Sequence, residues 1–180
     1  MKKLLMVIPL ALILCFMVGC QDKEAMAELE KFRAQVEVEE QNKEIVLRLI
    51  KETDKKNFDL WDELCSPDFV ATWSGSTDPF NLEQWKDVLI QWDTIAFPDF
   101  KHEVLDVIAE GDKVSVYLNV KGTHQGEAMG VSATGNKVSY DEIIIYRIAE
   151  GKVMGLKGVD DFSTLMQQLG MELKPKEWEK

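Results

Sequence analysis

A strict two-residue alternation in the second half of this 180-residue chain constrains its fold more than any other feature. Val114, Val116, Leu118 and Val120 alternate with Ser115, Tyr117, Asn119 and Lys121. Successive side chains of a strand point to opposite faces, so this segment has one apolar face that must be covered. Glu110-Gly111-Asp112 and Glu150-Gly151 supply the glycines that tight hairpins use for positive φ. Strands over 100–109, 113–124, 137–149 and 152–160, joined as an antiparallel meander, are the expectation.

Upstream the apolar period is helical. Ile45, Val46, Leu49 and Ile50, then Phe58, Leu60, Trp61 and Leu64 beyond a break at Lys56-Asn57, predict two consecutive helices on one core. A short strand over Phe69 to Trp73 precedes a third helix, which Asn81 can cap with Gln84 at capping-box spacing. That helix offers Leu82, Trp85, Leu89 and Trp92 to the core, and Asp161 to Leu169 closes the chain as a helix. Helices laid on a bent antiparallel sheet make an α+β layer pair.

The N-terminus reads as an address. Lys2 and Lys3 precede an apolar run, Leu4 to Val18, that ends in Gly19-Cys20. This is the pattern of a bacterial lipoprotein signal over 1–19. It predicts cleavage before an acylated Cys20 and a protein lipid-anchored on the extracytoplasmic side of the cell envelope. Residues 20–41, rich in Glu, Gln, Lys and Ala with Met26, Leu29, Phe32 and Val36 spaced by three to four, read as a charged helical tether ahead of a domain over 42–180. Removing residues 1–19 takes Lys2 and Lys3 away and leaves 19 basic against 32 acidic residues, a formal charge of −13. Such a surface argues against nucleic acid as a partner. With Cys15 and Cys20 assigned to the signal and the lipid, Cys65 is the one remaining thiol, and it reads as a small buried hydrophobe.

A set of short signatures follows in fixed order: Leu64-Cys65-Ser66-Pro67-Asp68-Phe69-Val70, Phe97-Pro98-Asp99-Phe100, Gly122-Thr123-His124-Gln125-Gly126, Thr134-Gly135, and Asp161 before Gln167-Gln168-Leu169-Gly170. Taken together they resemble the SnoaL-like polyketide cyclase (ester cyclase) family over about residues 42–170. The resemblance implies a nuclear-transport-factor-2-like cone, in which a curved antiparallel sheet and N-terminal helices enclose an apolar pocket. It also implies a homodimer through the outer sheet face and a reaction that needs no cofactor. The family's acid/base Asp falls on Asp161, where it would move a proton at a carbon beside carbonyls to close a ring. The family's Gly-Thr-His-x-Gly segment brings His124 in as a second catalytic candidate.

The residues themselves leave these roles open. Asp161 stands equally well as the N-cap of the last helix, with Asp160 as the alternative for either role, and His124 as a structural histidine. His102 reads as a surface residue. Trp73, Tyr117, Asn119 and Tyr140 are candidates to line the pocket, although Tyr117 and Asn119 have the parity opposite to Val116 and Leu118. Two histidines with no Cys pair argue against a metal site. The expected ligand is a small apolar or carbonyl compound, either turned over or held by a non-catalytic binding module for such a ligand or an envelope partner.

Overall fold

The computed structural model describes residues 4–171, with side chains from Lys23 to Met171. The side chains of the expected signal segment and of Cys20 lie outside that range. Among the described residues no helix is long and apolar enough to cross a membrane. The chain forms two compact units, Met1–Val38 and Glu39–Lys180.

Helix α1, Leu4–Asp54, begins in the first unit and ends in the second. The expected tether and first domain helix are therefore one element, since no Gly or Pro interrupts residues 21–54. Met26, Leu29, Phe32 and Val36 are all exposed along it. The helix stops at Lys56, whose φ of 63° puts it in the left-handed region. Amides of Lys56 and Asn57 bond back to the carbonyls of Thr53 and Glu52, the paired closure of a Schellman motif.

In the second unit, α2 (Leu60–Leu64) leads into β1 (Cys65–Trp73), then α3 (Leu82–Ile90). The Asn81 side chain accepts from the Gln84 amide at 2.9 Å and the Gln84 side chain accepts from the Asn81 amide at 3.0 Å, so the predicted capping box forms. Helix α3 continues into a π-helical segment, Gln91–Ala96, closed by a Phe97 amide bonded to the Trp92 carbonyl. Strands β2 (Lys101–Glu110), β3 (Lys113–Thr123), β4 (Lys137–Ala149) and β5 (Lys152–Asp160) form the predicted meander, and α4 (Phe162–Gln168) follows. Glu150 and Gly151, at φ 52° and 71°, turn the last hairpin.

The sheet order is β1-β5-β4-β3-β2, and β1 lies parallel to β5, so the sheet is mixed rather than wholly antiparallel. Pairing of β1 with β5 closes the sheet beside the helices, and Gly155 makes the approach possible because a Cβ there would collide with the Val70 carbonyl. Bulges on β1, on β2 between Val104 and Asp106, and between Arg147 and Ile148 bend the sheet. On its inner face Val114, Val116, Leu118 and Val120 are fully buried against Val46, Leu49, Trp61 and Phe97.

Candidate active site

Between the inner face of the sheet and the helices lies a cavity of about 280 Å³. Most of its wall is aromatic or aliphatic: Trp61, Trp73, Trp85, Trp92, Phe80 and Leu118. Three carboxyls and an imidazole, those of Asp93, Glu142, Asp160 and His102, break that surface.

Each arrives from its own element for a local reason. His102 on β2 shares the parity of buried Phe100 and pairs across the ladder with Val120, so its ring turns inward. Its Nδ1 lies 2.8 Å from Oδ1 of Asp54, which also accepts from the His102 amide at 3.1 Å. Asp54 occupies the last turn of α1, four residues after buried Ile50, and therefore lies on the helix face that meets the sheet. Glu142 is the one acid in the inward series Val138, Tyr140, Glu142, Ile144, Tyr146 and Ile148 of β4, and it is 6% exposed. Asp93 is carried by the π-helical segment, whose wider turn re-aims side chains, and it is 1% exposed. Asp160, at the end of β5, is held at the cavity edge: Trp73 Nε1 donates to one carboxylate oxygen and Ser74 Oγ to the other, each at 3.1 Å.

The electrostatics follow from burial and from these neighbours. Desolvation raises Glu142 from its ordinary 4.5 to about 7, with the charge of His102 opposing part of the rise. Desolvation likewise raises Asp93 to about 6 against the pull of His102 and Lys56. Burial depresses His102, but its bond to Asp54 and the charges of Glu142 and Asp93 outweigh this, and its pKa is raised. Asp54 shows the complementary change: its own burial is outweighed by the His102 bonds, and its pKa falls. Tyr140, buried in the same wall, is pushed well above its usual value and stays a neutral phenol. An apolar chamber thus holds two carboxyls that exchange protons near neutrality and an imidazole fixed by a carboxylate, a set able to take and give protons.

The structure sorts the predicted residues. Trp73 and Tyr140 line the cavity. Tyr117 and Asn119 do not: Val116 and Leu118 point inward, so the pleat turns them to the outer face, where both bond Asp141. Asp161 is the N-cap of α4, its carboxylate accepting from the Thr164 amide at 3.0 Å and the Thr164 hydroxyl at 2.6 Å. It is exposed, its pKa is lowered by those bonds, and it does not line the cavity, whereas its neighbour Asp160 does. His124 is fully buried away from the cavity, stacked on Phe97 at 5.2 Å with Nδ1 3.1 Å from the Thr134 hydroxyl. His102 is not a surface residue, as its ring is 11% exposed and lines the cavity. Cys65 is buried, with its thiol pushed up to about 12, which fits a small hydrophobe. Among the described residues no group of three or more His, Cys, Asp or Glu is arranged to hold a metal ion.

Sequence reasoning placed His102 on the surface and passed over Glu142, Asp54 and Asp93. The parity of Phe100 and His102, the single acid in the inward series of β4, and the helical step from Ile50 to Asp54 were the available signals. Asp93 had none, because the π-helical insertion that turns it inward leaves no periodic mark.

Comparison with known proteins agrees with this architecture. The family described as SnoaL-like polyketide cyclase matches residues 43–169. A stretch of 82 residues is 30% identical to aklanonic acid methyl ester cyclase of Streptomyces peucetius, and one of 83 residues is 28% identical to nogalonic acid methyl ester cyclase of Streptomyces nogalater. These alignments take in 45% and 46% of this chain and only 57% and 62% of the curated relatives, less than two thirds of either. Among solved structures, AclR of Streptomyces galilaeus superposes with a TM-score of 0.66 at 28% identity, covering 73% of this chain and 97% of that one. With the helix-backed curved sheet and its apolar chamber in place, the match over nearly the whole folded unit assigns the chain: it belongs to the SnoaL-like polyketide cyclase family.

Proposed function

We propose that this domain is an acid/base enzyme of the ester cyclase kind, acting on a small carbonyl compound or ester and tethered to the envelope through an acylated Cys20. The observation that carries the reading is that His102, its pKa raised by Asp54 and the nearby carboxylates, and Glu142, raised to about 7 by burial, share one apolar cavity. The two curated relatives, both methyl ester cyclases by name, support the class of substrate. The Lys2-Lys3, Leu4 to Val18 and Gly19-Cys20 pattern supports the tether.

Glu142, as a carboxylate, takes a proton from a carbon beside a carbonyl, and the apolar surroundings favour its protonated product state. His102, protonated and oriented by Asp54, gives a proton to the oxygen that gains charge. In a ring closure of the aldol type a carbon–carbon bond forms, the carbon loses its proton and the alkoxide gains one. Substrate and product then share one formula, and no co-reactant is consumed. The catalytic Asp expected at position 161 is replaced in this scheme by cavity groups, with Asp54 as the positioning residue.

Proton abstraction is measurable without the native substrate, by following deuterium exchange at the α-carbon of 2-tetralone by NMR. The protein is expected to accelerate exchange, with His102→Gln and Glu142→Gln each lowering the rate by about 100-fold or more. Asp161→Ala should leave the rate unchanged apart from a cap loss of about 1 kcal/mol in stability. No acceleration by the folded wild-type protein, or equal rates for all variants, would overturn the enzyme reading in favour of a binding module.

A further inference from the structure

Two polar atoms in the cavity wall have no hydrogen-bond partner, and they are of opposite kind. Trp85 Nε1 can only donate, whereas Asp93 Oδ2 accepts when ionised. Both residues line the cavity and both are buried, at 5% and 1% exposure. Lys56 Nζ stays 3.9 Å from Asp93 Oδ2, outside hydrogen-bonding distance. Several other polar groups of the wall have protein partners. Asp54 holds His102, Trp73 and Ser74 hold Asp160, and Thr53 bonds the Leu49 carbonyl and the Trp61 indole. Buried donors and acceptors are almost always paired in folded proteins, so two orphans carried by residues that line one chamber point to bonds made to a bound molecule.

Their placement adds geometry. Trp85 and Asp93 stand eight residues apart on the continuous run of α3 and the π-helical segment, which at about 1.5 Å per residue spreads their backbones by roughly 12 Å. The wall around them is aromatic, with Trp73 packed on Trp85 at 5.4 Å and Phe80 on Trp85 at 5.8 Å.

We infer that Trp85 and Asp93 are the two polar anchors of the ligand: Trp85 Nε1 donates to an oxygen acceptor at one end of a mainly apolar molecule, and Asp93 accepts from a hydroxyl or other donor at the far end. The inference rests on the cavity being the ligand site, as in the reading above, but not on any catalytic step. Asp93 is ionised for this role above its pKa of about 6. At these positions the chamber discriminates by the spacing of a donor and an acceptor.

The test uses the full-length protein and a matched set of naphthalenes. 6-Acetyl-2-naphthol carries both groups at opposite ends, 2-acetylnaphthalene only the acceptor, 2-naphthol only the donor, and naphthalene neither. At pH 8 the bifunctional compound is expected to bind about 10-fold or more tighter than either single-function compound by fluorescence titration. Trp85→Phe, which keeps a ring but loses the N–H, should weaken 6-acetyl-2-naphthol about 5- to 10-fold while leaving 2-naphthol unchanged. Asp93→Leu should give the reciprocal pattern, weakening the two naphthols and sparing 2-acetylnaphthalene. The spared compound reports that each variant is folded. Equal affinity across the set, or a loss that is the same for all four compounds in both variants, would overturn the assignment. Selective binding without deuterium exchange would sink the acid/base reading and leave this one standing; exchange without selectivity would do the reverse.

Discussion

Replacing Glu142 by Gln tests the electrostatics of the cavity most directly. The carboxyl is 6% exposed, and its pKa rises from 4.5 to about 7 on folding, chiefly through desolvation. The folded state therefore binds its proton more tightly than the unfolded chain does. The associated stability is fully present below pH 4.5 and is lost as pH rises through about 7. At about 1.36 kcal/mol for each tenfold change in proton affinity, the loss amounts to about 3 kcal/mol by pH 8.5. Glutamine fills nearly the same volume and carries no charge, so the variant should lack this loss. Urea unfolding of both proteins at pH 5 and pH 8.5, followed by tryptophan fluorescence, measures the difference. Part of this loss is already complete at pH 5, so wild type should lose about 2 to 3 kcal/mol more than Glu142→Gln over that range, or about 1 to 3 M in midpoint at ordinary urea slopes. Asp93 and His102, both also raised, leave a pH dependence of the same sign in the variant. If the two profiles run parallel, Glu142 is solvated when folded and the reasoning fails.

Two further outcomes follow from the wall of the cavity and from the N-terminus. Gly158→Ala should destabilise the domain by about 2 kcal/mol and shift its tryptophan emission, because the added Cβ would collide with the Trp73 ring and break the Trp73–Asp160 bond; an unchanged spectrum and midpoint would mean that Trp73 does not hold this position. Cys20→Ser should move the protein from the membrane fraction to the soluble fraction of the native host if acylation is the anchor; retention in the membrane would point to an uncleaved apolar segment instead.

The elements of this protein were legible in its sequence because each depends on relations a few residues long. Alternation over Val114 to Val120 marks β3, Glu150-Gly151 marks the last hairpin, and Asn81 with Gln84 marks the start of α3. Strand pleat and helix capping act between near neighbours, so the pattern of side chains carries them. Parallel pairing of β1 with β5 lay beyond such patterns, since Val70 and Gly155 meet only once the intervening helix and hairpins have folded. The same holds for the chemistry of the site. His102 meets Asp54 across 48 positions of the chain, and Trp73 meets Asp160 across 87. Asp161 and Asp160 are adjacent in sequence, yet one caps a helix in solvent and the other faces the cavity. A side chain's proton affinity depends on how much water it loses and on which charges are brought beside it, and both are properties of the assembled tertiary structure.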